Sequence, residues 1–226
     1  MGKLASAALF GYKPRSRRES GVGFAIRTDI ANKLVCLPQG VNDRIMTLRI
    51  PVSGKKCATI ISAYAPTMTN PDDIKEKFFE DLHTTVTSIP KTEKILLLGD
   101  FNARVGTDYT TWGPIISRNG VGKCNSKGEL LLQFCSEHQL LITNTVFRLP
   151  HRNRTTWMDP RSRHWHLIDC VIIRQQDRQD VRVTKSMCAG SLRKFSSVVD
   201  ILTSPPCFIK PLIKRVCSGM TKCCHN

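Results

Sequence analysis

Apolar and polar positions alternate through the first third of the chain, and that period predicts strands. Gly21-Val22-Gly23-Phe24-Ala25-Ile26 sets apolar side chains at every second position. Asp43 to Ile50 repeats the pattern through Ile45, Leu48 and Ile50, and Cys57 to Tyr64 reads as a buried strand that Pro66 ends. The period then changes. Asn70-Pro71-Asp72-Asp73 opens a helix, with Pro at its first position and acids in its first turn. Ile74, Phe78, Leu82 and Val86 form its inward stripe, and it stops before Pro90.

Lys94 to Leu98 is the clearest strand and runs straight into Gly99-Asp100-Phe101-Asn102. A loop containing several Gly and Asn follows, then a helix from Glu129 to Leu140 with Leu132, Cys135 and Leu140 inward. Leu141–Thr143 and Thr155–Trp157 are short strands, His166–Ile173 is a buried one, and Asp180–Thr184 is the last. Strands interleaved with two helices imply a layered α/β domain. Over 186–226 no period survives: five Cys, Pro205, Pro206 and Pro211, and six basic residues against one acid read as an irregular basic tail. The expected organisation is a divergent basic segment over 1–20, a domain over 21–185 and that Cys-rich tail.

Composition narrows the function. The 226 residues are 41% apolar and 23% charged, which is globular rather than disordered. No apolar run approaches the ~20 residues that span a bilayer. Thirty-four Lys and Arg against 18 Asp and Glu leave a charge of +16, which points to a polyanion, nucleic acid ahead of an anionic membrane. The ten Cys include no C-x-x-C pair, which excludes the usual zinc-ribbon and thioredoxin spacings. Cys57, Cys135 and Cys170 fall in apolar runs, as small core residues. The expected setting is intracellular and reduced, the nucleus included. Met1-Gly2-Lys3-Leu4-Ala5-Ser6 fits a myristoylation pattern ahead of Arg15, Arg17 and Arg18, but so short a pattern arises often by chance and membrane anchoring is not expected.

A strand ending in Gly-Asp-x-Asn sets a carboxylate and a carboxamide at its mouth. Asp100 and Asn102 are two apart, so in extended geometry both leave by one face. Phosphodiester hydrolysis needs such groups, one to orient water or hold a cation and one to hold a phosphoryl oxygen. The bland reading is a turn in which both side chains cap backbone amides. Tyr64 closes a strand, where its phenol would donate to phosphate or rest satisfied in a core. Asp169 lies in an apolar strand and requires a partner: a His, a metal-bound water or a nearby Arg.

Three stretches in order carry a resemblance: Ile61 to Thr67 (ISAYAPT), Lys94 to Gly106 (KILLLGDFNARVG) and Thr155 to Ile173 (TTWMDPRSRHWHLIDCVII). They resemble the endonuclease/exonuclease/phosphatase superfamily, nearest its craniofacial development protein 2-like branch, which looks like a retrotransposon-derived (non-LTR) endonuclease. The likeness covers about residues 21–185. It implies a four-layer α/β sandwich, two packed mixed β-sheets flanked by helices, here incomplete at its N- and C-terminal edges. It also implies cleavage of phosphodiester bonds with Mg²⁺ (or Mn²⁺), in DNA sooner than RNA. By position, Tyr64 matches the family's phosphate-contacting Tyr, Asp100 the Asp that aligns the attacking water, Asn102 the Asn on the scissile phosphate and Asp169 the Asp that orients the catalytic His. Asp100 and Asn102 are the expected metal ligands. The family's metal-binding Glu has no match, since Glu19 does not sit in an apolar strand, and no Asp-His dipeptide occurs anywhere. The expectation is a trimmed domain with weak cation binding and weak or absent nuclease activity; the alternative is a non-catalytic nucleic-acid-binding remnant.

Overall fold

The structure, a computed structural model, describes residues 7–12, 21–32, 34, 36–53, 56–188 and 195–201. The myristoylation pattern, the Arg15–Arg18 cluster and the tail from Cys207 onward lie outside them. β1 (Ala7–Tyr12) and β2 (Val22–Arg27) form an antiparallel ribbon, followed by the single turn α1 (Thr28–Ala31). β3 (Gln39–Gly40), β4 (Ile45–Ser53) and β5 (Lys56–Tyr64) come next, then α2 (Asp72–Ser88) and β6 (Lys94–Asp100). α3 (Ser126–Glu137) leads into β7 (Leu140–Ile142). β8 (Trp157–Met158) and β9 (Trp165–His166) make a short hairpin ahead of β10 (Asp169–Arg174). β11 (Val181–Cys188) and β12 (Phe195–Ile201) close as a second antiparallel ribbon.

Six strands form the central sheet in the order β3-β4-β5-β6-β10-β7, in which β5 and β6 are the parallel pair. Alternation along those strands divides the core in two. On one face Ile61, Leu97 and Ile172 meet Phe78, Leu82 and Val86 of α2 and Leu131, Leu132 and Cys135 of α3. On the other, Ile60, Leu96, Leu98 and Val171 meet Val22, Phe24 and Ile26 of β2 and Val181 of β11. Helices, mixed sheet and ribbons therefore stack as the expected α/β sandwich. Its second sheet consists, among the described residues, of two separate ribbons, with α1 packed on that side through Ile30 and Ala31.

Four local readings change. Ile74 is 40% exposed, because it lies one turn before Phe78, where α2 first reaches the sheet. α3 begins at Ser126 rather than Glu129, since Asn125 caps it by accepting from the Gly128 N–H at 2.8 Å. The strand read over His166–Ile173 is interrupted: Leu167 and Ile168 are both buried instead of alternating, and β10 starts afresh at Asp169. Within the stretch read as irregular beyond residue 186, β11 continues to Cys188 and β12 pairs with it. Cys135 and Cys170 are buried free thiols whose pKa burial raises, inert core residues as their apolar surroundings suggest. No helix among the described residues is long and apolar enough to cross a membrane.

Candidate active site

The ends of β5, β6 and β10 place three of the four candidates in one row. Tyr64 stands opposite Asp100 in the parallel ladder, and Asp169 stands opposite Asp100 in the antiparallel one. Their strand parity is that of Ile60, Leu98 and Val171, so the row belongs to the ribbon face of the sheet. Gly99 makes the close approach possible: a Cβ there would sit 2.1 Å from the Ala63 carbonyl oxygen. Backbone bonds lock the three ends together, Ala65 N–H to Asp100 O at 2.9 Å and Phe101 N–H to Ile168 O at 2.9 Å.

Asn102 reaches the row by another route than the one expected. β6 ends at Asp100, and Asn102 has φ +48°, a left-handed conformation that Asn tolerates better than most residues. Extended alternation therefore does not align the two side chains; a turn does. The Asp100 carboxylate accepts from the Asn102 N–H at 2.9 Å, and the Asn102 amide donates to Ala65 O at 2.9 Å. Those are the capping bonds of the bland reading, and they also hold both groups in place beside Tyr64. Asp169 is positioned through its backbone: its N–H donates to Thr156 Oγ1 at 3.1 Å, and Asn144 donates to its carbonyl at 3.3 Å while accepting from Val171 N–H at 2.7 Å. His166, three residues earlier, stacks on Trp157 with ring centroids 5.9 Å apart. Burial, then Arg104, lowers its pKa.

Two cationic side chains at this end of the sheet went unread in the sequence. The Arg44 guanidinium lies 5.7 Å from the centroid of the Tyr64 ring and donates to the Tyr64 carbonyl at 3.4 Å. Lys127, in the first turn of α3, is only 1% exposed, and its ammonium donates to the Pro66 carbonyl. The available signal was a Lys where a helix N-terminus disfavours cations. Burial pulls its pKa down from 10.5 to about 8, with Asp100 opposing the fall and Lys75 and Arg44 adding to it. Between those values the unfolded chain binds a proton that the fold releases, so the Lys127 contribution to stability rises with pH across the window. Lys127→Met is expected to abolish that rise, worth about 3 kcal/mol, in urea midpoints measured at either end of it. An unchanged pH dependence in the variant would refute the assignment.

Asp100, Asp169 and the Asn102 carboxamide offer the hard oxygen donors that Mg²⁺ takes, so the row fits such a cation in kind. The set is small, and the Lys127 ammonium already lies within electrostatic reach of Asp100. A separate cleft of about 410 Å³, lined by Val105, Asp108, Trp112, Cys124 and Glu129 among others, contains none of the four candidates.

Residues 58–191, more than half of the chain, match the family described as endonuclease-reverse transcriptase. The chain belongs to that family. Among curated relatives, craniofacial development protein 2 of Bos taurus is 34% identical over 190 residues, covering 82% of this chain and 31% of its own length. The Tragulus javanicus protein is 33% identical over 190 residues, with 82% and 32% covered. The chain thus spans about a third of the length of these relatives. Of solved structures, the endonuclease domain of TRAS1, a telomere-specific non-LTR retrotransposon, superposes with TM-score 0.60 at 14% identity, over 85% of this chain and 80% of that one. The 3′ phosphatase NExo from Neisseria, bound to a product DNA hairpin, gives TM-score 0.57 at 14% identity, over 86% and 79%. These likenesses show the fold. The segment matched to the endonuclease-reverse transcriptase family holds Tyr64, Asp100, Asn102 and Asp169, together with Lys127 and the Asn144 and Thr156 contacts of Asp169; Arg44 lies before it.

Proposed function

We propose that this endonuclease-family domain binds DNA in preference to RNA and cleaves it at most weakly. The register row Tyr64–Asp100–Asp169, with Asn102 turned beside it, is the observation that carries the reading. In it the Tyr64 hydroxyl donates to a phosphate oxygen, Asp100 orients the attacking water and Asn102 holds the scissile phosphate. Asp169 is the second carboxylate at the same strand ends. Asp100 and Asn102 would hold Mg²⁺ (or Mn²⁺), which when bound neutralises phosphoryl charge. Affinity would be low, since Mg²⁺ demands a near-octahedral oxygen set and Lys127 competes for the same carboxylate. The chain contains no Asp-His dipeptide, the motif whose His would protonate the leaving group. Exposed Arg161 and Arg163, in the turn of the β8–β9 hairpin that precedes β10, would supply phosphate contacts. A nuclear, DNA-bearing compartment accords with that chemistry.

Plasmid nicking in Mg²⁺, in Mn²⁺ and in EDTA tests the proposal. Wild type is expected to nick no faster with Mg²⁺ than with EDTA, and Asp100→Asn and Asp100→Ala to change the rate little, while all three retain DNA binding. Robust nicking that disappears with EDTA and in Asp100→Asn would overturn the weak-cleavage reading. Absence of both nicking and binding would overturn the proposal altogether. The second reading, a binding remnant without chemistry, is favoured by Lys127, a resident cation near the carboxylate. It is distinguished by Mn²⁺, which should rescue a weak nuclease and leave a pure binder unchanged.

A further inference from the structure

The helix layer lies across the central sheet from the Tyr64–Asp100–Asp169 row, and on it α2 and α3 share one stripe of contacts. Phe79 tilts against Phe134 with centroids 6.0 Å apart. One turn further along both helices, His83 meets His138 with centroids 4.7 Å apart and His138 Nε2 3.1 Å from His83 Nδ1. Glu137 precedes His138, and one ligand atom from each of the three residues lies within 4.8 Å of the other two. His83 and Glu137 are exposed and His138 is partly covered by Phe134, at 4.7 Å between centroids.

We propose that His83, Glu137 and His138 bind a Zn²⁺ ion that ties α2 to α3, with a fourth position open to water. Two imidazole nitrogens on one tetrahedral ion, each at about 2.0–2.1 Å, are about 3.3 Å apart. The observed 3.1 Å is a few tenths short, a distance that small side-chain rotations at an exposed site close. The donors, two imidazoles and a carboxylate, suit Zn²⁺ and not Mg²⁺ or Ca²⁺. The last turn of α3 carries no basic residue, so its exposed carbonyls favour a cation at that end. Arg174 is the opposing charge nearby, and its guanidinium already donates to the carbonyls of Ile89, Pro90 and Glu93. The competing description is a neutral His–His hydrogen bond on a helix surface.

Thiolates are zinc ligands too and the chain has ten Cys, so Co²⁺ is the probe that separates the two kinds of donor. Added to the untagged full chain under reducing conditions, Co²⁺ is expected to give ligand-field absorption without thiolate charge-transfer bands, and Zn²⁺ to displace it. Losing an outer-shell partner alone weakens metal sites by about 10–100-fold, so loss of a ligand should cost more. His83→Asn and His138→Asn are therefore expected to abolish the signal and Glu137→Gln to weaken it. Zn²⁺ should raise the melting temperature of wild type and not that of His83→Asn, an exposed change that leaves the fold intact. Thiolate bands alone, no spectral change in excess Co²⁺, or affinity unaltered by these substitutions would overturn the site. DNA binding is unaffected in either case.

Discussion

Raising salt from about 50 to about 200 mM is expected to weaken duplex DNA binding by roughly 250- to 1,000-fold, a log–log slope of about −4 to −5 from about five phosphate contacts. The structure separates cations that remain at the surface from those spent internally. Over residues 148–185, Arg148, Arg152, Arg161, Arg163, Arg182 and Lys185 are exposed. Arg154 instead donates to the carbonyls of Leu149, Asn119 and Gly120, Arg174 to those of Ile89, Pro90 and Glu93, and Arg178 lies over the Phe147 ring. Lys94 pairs with Asp180 and Arg49 with Glu93. About five phosphate contacts would engage most of these six exposed cations. Fluorescence anisotropy with a labelled duplex measures it, and removing Arg161 and Arg163 together should lower the slope by about 2. A flat salt response, or equal affinity for an uncharged polymer, would dispose of electrostatic DNA binding by this chain.

Leu97→Ala is expected to lower folding stability by about 3–5 kcal/mol, the upper part of the range for buried Leu. Leu97 is 0% exposed in β6 and faces the helix layer between Ile61 of β5 and Ile172 of β10. The ladder fixes the strands on both sides, and Leu82 and Val86 of α2 belong to the same cluster, so the lost volume has no neighbour free to fill it. Gly99, two residues on, has no room for a Cβ beside the Ala63 backbone of β5, so that part of the ladder has no slack to take up. Urea denaturation read by circular dichroism would show the lower midpoint. Leu37→Ala, at a side chain 66% exposed, serves as the reference and should stay within about 0.5 kcal/mol of wild type. A Leu97→Ala midpoint equal to that reference would show that the central sheet does not carry the core.

Alternation was enough for the strands over 22–27 and 45–53, and a near-four repeat for the helix over 72–88. Continuous apolar runs marked the strands over 56–64 and 94–100 that are buried on both faces, and the second long helix was legible without its first turn. The order of three motifs was enough for the family, and the Gly-Asp-x-Asn end of β6 marked the candidate site. Contacts between residues distant in sequence carry no local pattern, and there only the tertiary structure decided. Asp100 faces Asp169 through ladder register, Lys127 is buried because α3 begins at Ser126 and its ammonium reaches back to the Pro66 carbonyl, and His83 meets His138 because two helices pack side by side. Asn102 shows the boundary most clearly. Its residue type pointed to chemistry at a strand end, but a single left-handed φ replaced the expected alternation, and the carbonyl that fixes its amide belongs to Ala65, just past the end of β5. Local sequence sets which face of an element is apolar; which faces and ends then meet is a property of the packed core.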